Sequence, residues 1–199
     1  MINIFSSIYN MYNINKQFKS SVIIGINGLD CSGKTYFAKY LKNYFTDRGI
    51  STSVVNIDLY NVKTIENHTY TSSSKQITNK NLEIYYNQII DFNLAHKKIL
   101  ELIDNCSVII IEGIFIYKKE LLDLFDLKVF LTVNHSIAIE RFRLRQERNN
   151  DIRPISIFKK IWIPSHIRYL EEVKPEQLSD IVIDNSNYAE PQIVRHSIQ

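Results

Sequence analysis

At 199 residues with 45% hydrophobic content, the chain has the length of one compact domain with a core of its own. Twenty-four Lys and Arg against 21 Asp and Glu leave a net charge of +3, too slight to argue for nucleic acid or an anionic membrane as a general partner. Two cysteines in no paired spacing, Cys31 and Cys106, exclude a disulfide framework and fit a reducing, cytoplasmic setting, while five histidines without ligand spacing argue against a protein-held zinc site.

Residues 1–19 place Ile4, Phe5, Ile8, Met11, Tyr12 and Ile14 near helical periodicity. No basic residue precedes them and asparagines interrupt the run, so the stretch is a poor secretion signal and too polar to span a membrane. The spacing predicts an amphipathic helix laid against a single domain of residues 20–199. A membrane-surface anchor, the other reading, would want Lys and Arg on the polar face.

Ser21-Val22-Ile23-Ile24-Gly25-Ile26 is apolar and β-branched, as a buried strand requires, and residues 36–45 carry apolar groups at helical spacing. Between them Gly28-Leu29-Asp30-Cys31-Ser32-Gly33-Lys34-Thr35 matches G-x-x-x-x-G-K-[ST] in full. Two glycines let the backbone turn with its amide N–H groups inward, and a helix start adds unpaired N–H groups and a positive dipole end. Residues 28 to 35 thus form a candidate nucleotide-phosphate cradle, Asp30, Cys31 and Ser32 included. Lys34 can reach the β and γ phosphates, and the Thr35 hydroxyl suits Mg²⁺. ATP is the expected nucleotide; GTP is the other the loop admits. Cys31 occupies a variable position of the loop and is more simply inert than a redox switch.

Asp47-Arg48-Gly49 stops the helix, and residues 53–57 predict a second strand with Asp58-Leu59-Tyr60 at its end. Parallel α/β sheets gather ligands at the carboxyl ends of their strands, so Asp58 falls on the rim that carries the phosphate cradle. It can accept the proton of an attacking hydroxyl or simply cap a turn. Residues 62–80 are polar and without period, a long loop that either holds an acceptor, with Glu66, His68 and Tyr70 in it, or is a surface excursion. One helix is expected from residue 81 to residue 103; Tyr85 and Asp91 on it could reach a substrate, although an aromatic at that spacing also suits a core.

Val108-Ile109-Ile110-Ile111-Glu112-Gly113 reads as a fully buried parallel strand whose first polar residue, Glu112, can hold Mg²⁺ beside Thr35 or be a satisfied buried acid. Residues 127–133 predict the next strand, followed by a helix capped by Asn134 or Ser136. On it Arg141, Arg145 and Arg148 fall on one face, with Arg153 beyond. Such a stripe can be a lid that grips phosphoryl oxygens, an RNA patch or plain surface. A helix over 157–173, kinked at Pro164, a last strand over 179–184 and a short polar tail complete the chain.

Gly25 to Thr35, Asp58-Leu59-Tyr60, Ile111-Glu112-Gly113, the arginine helix and Lys174-Pro175 with Ser179-Asp180-Ile181-Val182-Ile183 together resemble the uridine kinase family of P-loop kinases, over residues 21–184. The resemblance implies an α/β fold with a parallel five-stranded sheet ordered 2-3-1-4-5, helices on both faces, a short lid, and use of ATP and Mg²⁺. It further implies Asp58 as base, Tyr60 as substrate contact, Thr35 and Glu112 at Mg²⁺, and Arg145 and Arg148 in the lid. Arg145 is followed here by Gln146 and Arg148 by Asn149, where the family carries Arg-Asp and Arg-Gly, and the 62–80 loop has no Asp-His-Pro.

The expected function is transfer of the γ-phosphate of ATP to a hydroxyl of a small metabolite such as a nucleoside, by catalytic Lys34, Asp58, Arg145 and Arg148, with Tyr60, His68 and Tyr85 at the acceptor. A nucleotide-monophosphate kinase and a non-catalytic ATP-binding regulator are the alternatives. A small-molecule acceptor is the expected partner, with neither nucleic acid nor membrane, and a homo-oligomer is left open.

Overall fold

A computed structural model describes residues 1–66 and 78–196. In chain order its elements are α1 (Ile2–Asn15), β1 (Val22–Gly28), α2 (Lys34–Thr46), β2 (Thr52–Asn56), α3 (Asn79–Gln88), α4 (Phe92–Leu100), β3 (Val108–Gly113), β4 (Leu127–Thr132), α5 (His135–Asn149), α6 (Ile163–Glu172), β5 (Ile181–Asp184) and β6 (Gln192–His196). The sheet runs β2-β3-β1-β4-β5-β6. Its first five strands are parallel in the order expected from sequence. The sixth, antiparallel to β5, corrects the expectation of five strands followed by a short polar tail. All five residues of β6 are exposed, so it carries no alternation of burial and is held at the sheet edge by backbone pairing and by Arg195, which donates to the carbonyls of Glu176, Gln177 and Ser179.

The apolar strands bury both faces because side chains alternate along each. Ile23, Ile109 and Ile111 face a layer that holds Tyr85, Tyr86, Ile99, Phe142, Phe158, Trp162 and Tyr169. Val22, Ile24, Ile26, Ile110 and Val129 face the opposite layer, with Phe37, Leu41 and Phe45 of α2. α1 joins this second layer through Ile4, Phe5, Ile8 and Tyr12, all buried. Phe5 meets Phe37 edge-on at 5.2 Å and Tyr12 meets Phe45 at 5.1 Å. Among the described residues no helix is long and apolar enough to cross a membrane.

The single helix expected over 81–103 is divided. Asp91 caps α4 by accepting the Leu94 N–H at 2.9 Å, and the turn between α3 and α4 bonds to the segment after β2, Val62 N–H to Ile89 O at 2.8 Å and Asp91 N–H to Tyr60 O at 2.9 Å. Those bonds replace helical ones, and they give Asp91 a capping role. The stretch before α6 is a short turn of α-helix, Ile155–Ile157, then a π-helical segment, Phe158–Trp162. Pro164 stands at the start of α6, where the widened turn accommodates its missing N–H.

Candidate active site

The carboxyl ends of β1, β2 and β3 bring the sequence-selected groups to one rim. Register pairs Ile26 with Glu112 and Asn56 with Glu112, so the end of β3 lies between the loop that leaves β1 and the turn that leaves β2. The loop from Gly28 to Gly33 opens on φ +155° and closes on φ +96°, and a Cβ added at Gly28 would stand 2.5 Å from the Leu131 carbonyl. The amide N–H groups of Gly33, Lys34 and Thr35 have no acceptor among the described residues. α2 starts there, so its positive end and unpaired donors face the same concavity. These unpaired donors at one helix start fit a chain of phosphate oxygens.

Lys34 is buried, and its ammonium donates to the Leu29 carbonyl at 2.9 Å, which leaves two of its three N–H donors for a ligand. Thr35 donates its hydroxyl to Glu112 at 2.9 Å. Glu112 is 1% exposed, and burial raises its carboxyl above the ordinary range, opposed by Lys34 and the Thr35 hydrogen bond and reinforced by Asp58. A hydroxyl and a carboxylate oxygen side by side, beside a site for phosphate, are the hard oxygen donors that Mg²⁺ takes.

Asp58 lies in the 3₁₀ turn Ile57–Tyr60, fixed by Asn56, whose side-chain oxygen accepts the Asp58 N–H at 2.8 Å. The residue is exposed, yet loss of surrounding water raises its carboxyl first and the Asp30 carboxylate raises it further. Lys34 and Arg145 pull it down, which places Asp58 within electrostatic reach of α5 as well as of the loop. Burial also pushes the Cys31 thiol up to about 11, so it stays protonated and inert at neutral pH.

The arginine helix divides its labour. Arg145 has two guanidinium nitrogens, Nε and Nη2, buried without a partner among the described residues, and its charge acts on both Cys31 and Asp58. A buried cation lacking acceptors is costly until an anion supplies them. Arg141, by contrast, is committed to the protein: it donates to Cys31 O at 3.3 Å, Asn185 O at 2.7 Å and Ser186 O at 2.8 Å, with the Tyr188 ring 4.9 Å from its guanidinium carbon. Arg148 is exposed at the last turn of α5, and Arg153 pairs with Asp151 and lies 5.1 Å from the Trp162 ring.

On the acceptor side Tyr60 is half-buried, while Tyr85 is 3% exposed and packs edge-on against Phe115 at 6.3 Å, within the core. His68 and Tyr70 lie outside the described residues.

The sequence matches the AAA domain family across residues 24–178. The chain belongs to that family. As an AAA domain it carries the P-loop fold seen above, and two solved structures share it. A possible uridine kinase from Bacillus stearothermophilus superposes with a TM-score of 0.58 at 19% identity, over 88% of this chain and 98% of that one. A proposed fructose transport system kinase from Silicibacter sp. TM1040 gives 0.57 at 13% identity, over 81% and 91%. No curated protein matches the sequence. The AAA domain's own architecture adds two residues that sequence reading passed over, Asn185 and the structural half of Arg141. The rim rule for parallel sheets could have drawn notice to Asn185, which directly follows β5.

Proposed function

We propose that this AAA domain is an ATP- and Mg²⁺-dependent kinase that phosphorylates a hydroxyl of a small metabolite, with nucleosides the first acceptors to test and the reducing cytoplasm its setting. The observation that carries the reading is Arg145: two nitrogens of its guanidinium are buried without a partner among the described residues, and its charge acts on both Asp58 and Cys31 of the donor-rich loop. That is an arrangement suited to negative charge passing between a nucleotide and an acceptor.

The chain's own groups take defined parts. Asp58 accepts the proton of the acceptor hydroxyl and aligns it; Lys34 and Arg145 balance charge on the transferred group; the unpaired N–H groups from Gly33 onward hold phosphate oxygens. Thr35 and Glu112 would hold Mg²⁺. ATP, when bound, supplies the phosphoryl group, and Mg²⁺ draws charge from its oxygens. Arg148 and Tyr60 are assigned to lid and acceptor contact by the resemblance of their motifs to the uridine kinase family.

The test is a screen of nucleosides and small polyols for ADP release, with Lys34→Ala as blank. Acceptor-dependent ADP release by the unchanged protein alone supports the kinase. Tight ATP binding with no transfer to any acceptor would instead make the chain a non-catalytic nucleotide-binding regulator, and turnover confined to nucleoside monophosphates would move it to that kinase class. Residues 62–80 hold no arginine with which to grip a phosphorylated acceptor, which favours the neutral one.

A further inference from the structure

Asn185 directly follows β5 and is 4% exposed. Its backbone N–H donates to Thr132 O at 2.9 Å, which fixes it to the end of β4. Its side-chain amide donates to the Ser32 carbonyl at 2.6 Å. Arg141 closes the arrangement by binding the Asn185 carbonyl and the Cys31 carbonyl with one guanidinium. The phosphate loop is therefore strapped from outside, at two consecutive carbonyls, to the segment that leaves β5.

The consequence follows from peptide geometry. No peptide bond among the described residues is cis, and a trans peptide points its carbonyl and its N–H in opposite directions. With the Ser32 carbonyl held toward Asn185, the Gly33 N–H is turned away from Asn185, and it has no acceptor among the described residues. Gly33 makes the contact possible: a Cβ there would stand 2.5 Å from the Asn185 amide nitrogen. The glycine leaves room for the strap as well as for the left-handed turn.

We propose that Asn185 is a positioning residue of the phosphate loop: by holding the Ser32 carbonyl outward it keeps the Gly33 N–H presented to a phosphate oxyanion. This rests on residues 28–35 being a phosphate cradle, as the function above requires. Without the Asn185 amide the Ser32 carbonyl loses its outward partner, and a bound phosphate must supply more of the ordering of the Ser32–Gly33 peptide.

Calorimetric binding of pyrophosphate to the full chain tests this without reference to turnover. Asn185→Asp keeps the shape of the side chain but cannot donate to a carbonyl; Asn185→Ala removes the donor without adding charge. Both variants should bind pyrophosphate at least tenfold more weakly. In amide NMR spectra, the shift of the Gly33 resonance on adding pyrophosphate should shrink, while resonances of Ile24 and Val129 in the sheet stay in place; a general loss of structure would move them all. An Ala variant that binds pyrophosphate as tightly as the unchanged protein overturns the proposal, whatever the Asp variant does. Should Ala fail to fold, a Gly33 response in the Asp variant equal to that of the unchanged protein overturns it. Failure of the unchanged protein to bind pyrophosphate is a distinct result: it removes the phosphate cradle itself, and with it any role in positioning it.

Discussion

Thr35 and Glu112 join the first turn of α2 to the carboxyl end of β3 through one 2.9 Å hydrogen bond, although they stand 77 positions apart in the chain. The bond puts a carboxylate where burial disfavours its charge, and Lys34 offsets that only in part, since the net shift of Glu112 is upward. A raised acid favours the folded state below its unfolded pKa and costs stability as pH rises through the folded value. Glu112→Gln is therefore expected to unfold at a higher temperature than the unchanged protein at pH 8 without ligand, with the gap closing as pH falls. The same change should weaken Mg²⁺ activation of ADP release by at least about 10- to 100-fold, the range seen when even an outer-shell partner of a metal is lost. Melting curves across pH and a Mg²⁺ titration of turnover check the two halves; a variant equal to the parent in Mg²⁺ response would remove Glu112 from the metal site.

Asp58 must lose its proton to act as base, and its surroundings hold that proton more tightly than water would. The acidic limb of kcat/KM is accordingly expected above the ~4 of a free carboxylate. Asp30 is the second cause of the shift, so Asp30→Asn should move the limb to lower pH, the direction set by removing a like charge. Asp58→Asn should lower kcat by about a hundredfold or more, as loss of a positioned base does. A pH–rate profile of the three proteins decides; a limb unmoved by Asp30→Asn means the two carboxylates do not share the site.

Much of this rim was legible in the sequence because its elements announce themselves locally. The loop from Gly28 to Thr35 has fixed spacing, and Val108 to Ile111 is too apolar to be anything but a buried strand, so Glu112 at its end is conspicuous. What escaped reading depends on partners distant in sequence. β6 has neither apolar run nor alternation, because it pairs at an edge and buries nothing. Asn185 looks like any residue after a strand until β5 is laid beside β4 and its amide reaches Ser32, 153 residues earlier. The split between α3 and α4 is invisible to periodicity because Ile89 and Ile90 fit a helical face and are buried either way. Arg141, Arg145 and Arg148 share one stripe, yet only three-dimensional neighbours show that Arg141 holds the loop while two Arg145 nitrogens are buried without an acceptor among the described residues.

The N-terminal helix offers a direct stability test. Phe5 is 5% exposed and lies between Phe37 at 5.2 Å and Tyr44 at 5.6 Å, so truncating it empties a pocket in the layer under α2. Phe5→Ala is expected to cost about 3 to 5 kcal/mol in urea unfolding, the range for removing a buried aromatic ring. A loss of about 0.5 kcal/mol or less, typical of surface sites, would mean that α1 is only loosely held in solution.

His166 adds acid sensitivity to the fold. Its ring is 8% exposed and stacks on Phe130 at 6.2 Å and an interplanar angle of 3°, so burial pushes the imidazole down to about 3, with Lys34 and His135 adding repulsion. The unfolded chain takes up this proton near pH ~6.5 while the folded one refuses it, so the stability the group contributes is present above that pH and is lost as pH falls. Between about pH 6 and pH 4 the loss amounts to about 1.4 kcal/mol per pH unit from this one residue. His166→Gln removes the titration, so its unfolding free energy should lie below the parent's at neutral pH, from lost stacking on Phe130, but fall less steeply with acid, and the two curves should converge. Urea unfolding at several pH values measures both slopes. Parallel curves would show that His166 takes up its proton in the folded state, which the contact with Phe130 and the nearby ammonium of Lys34 both oppose.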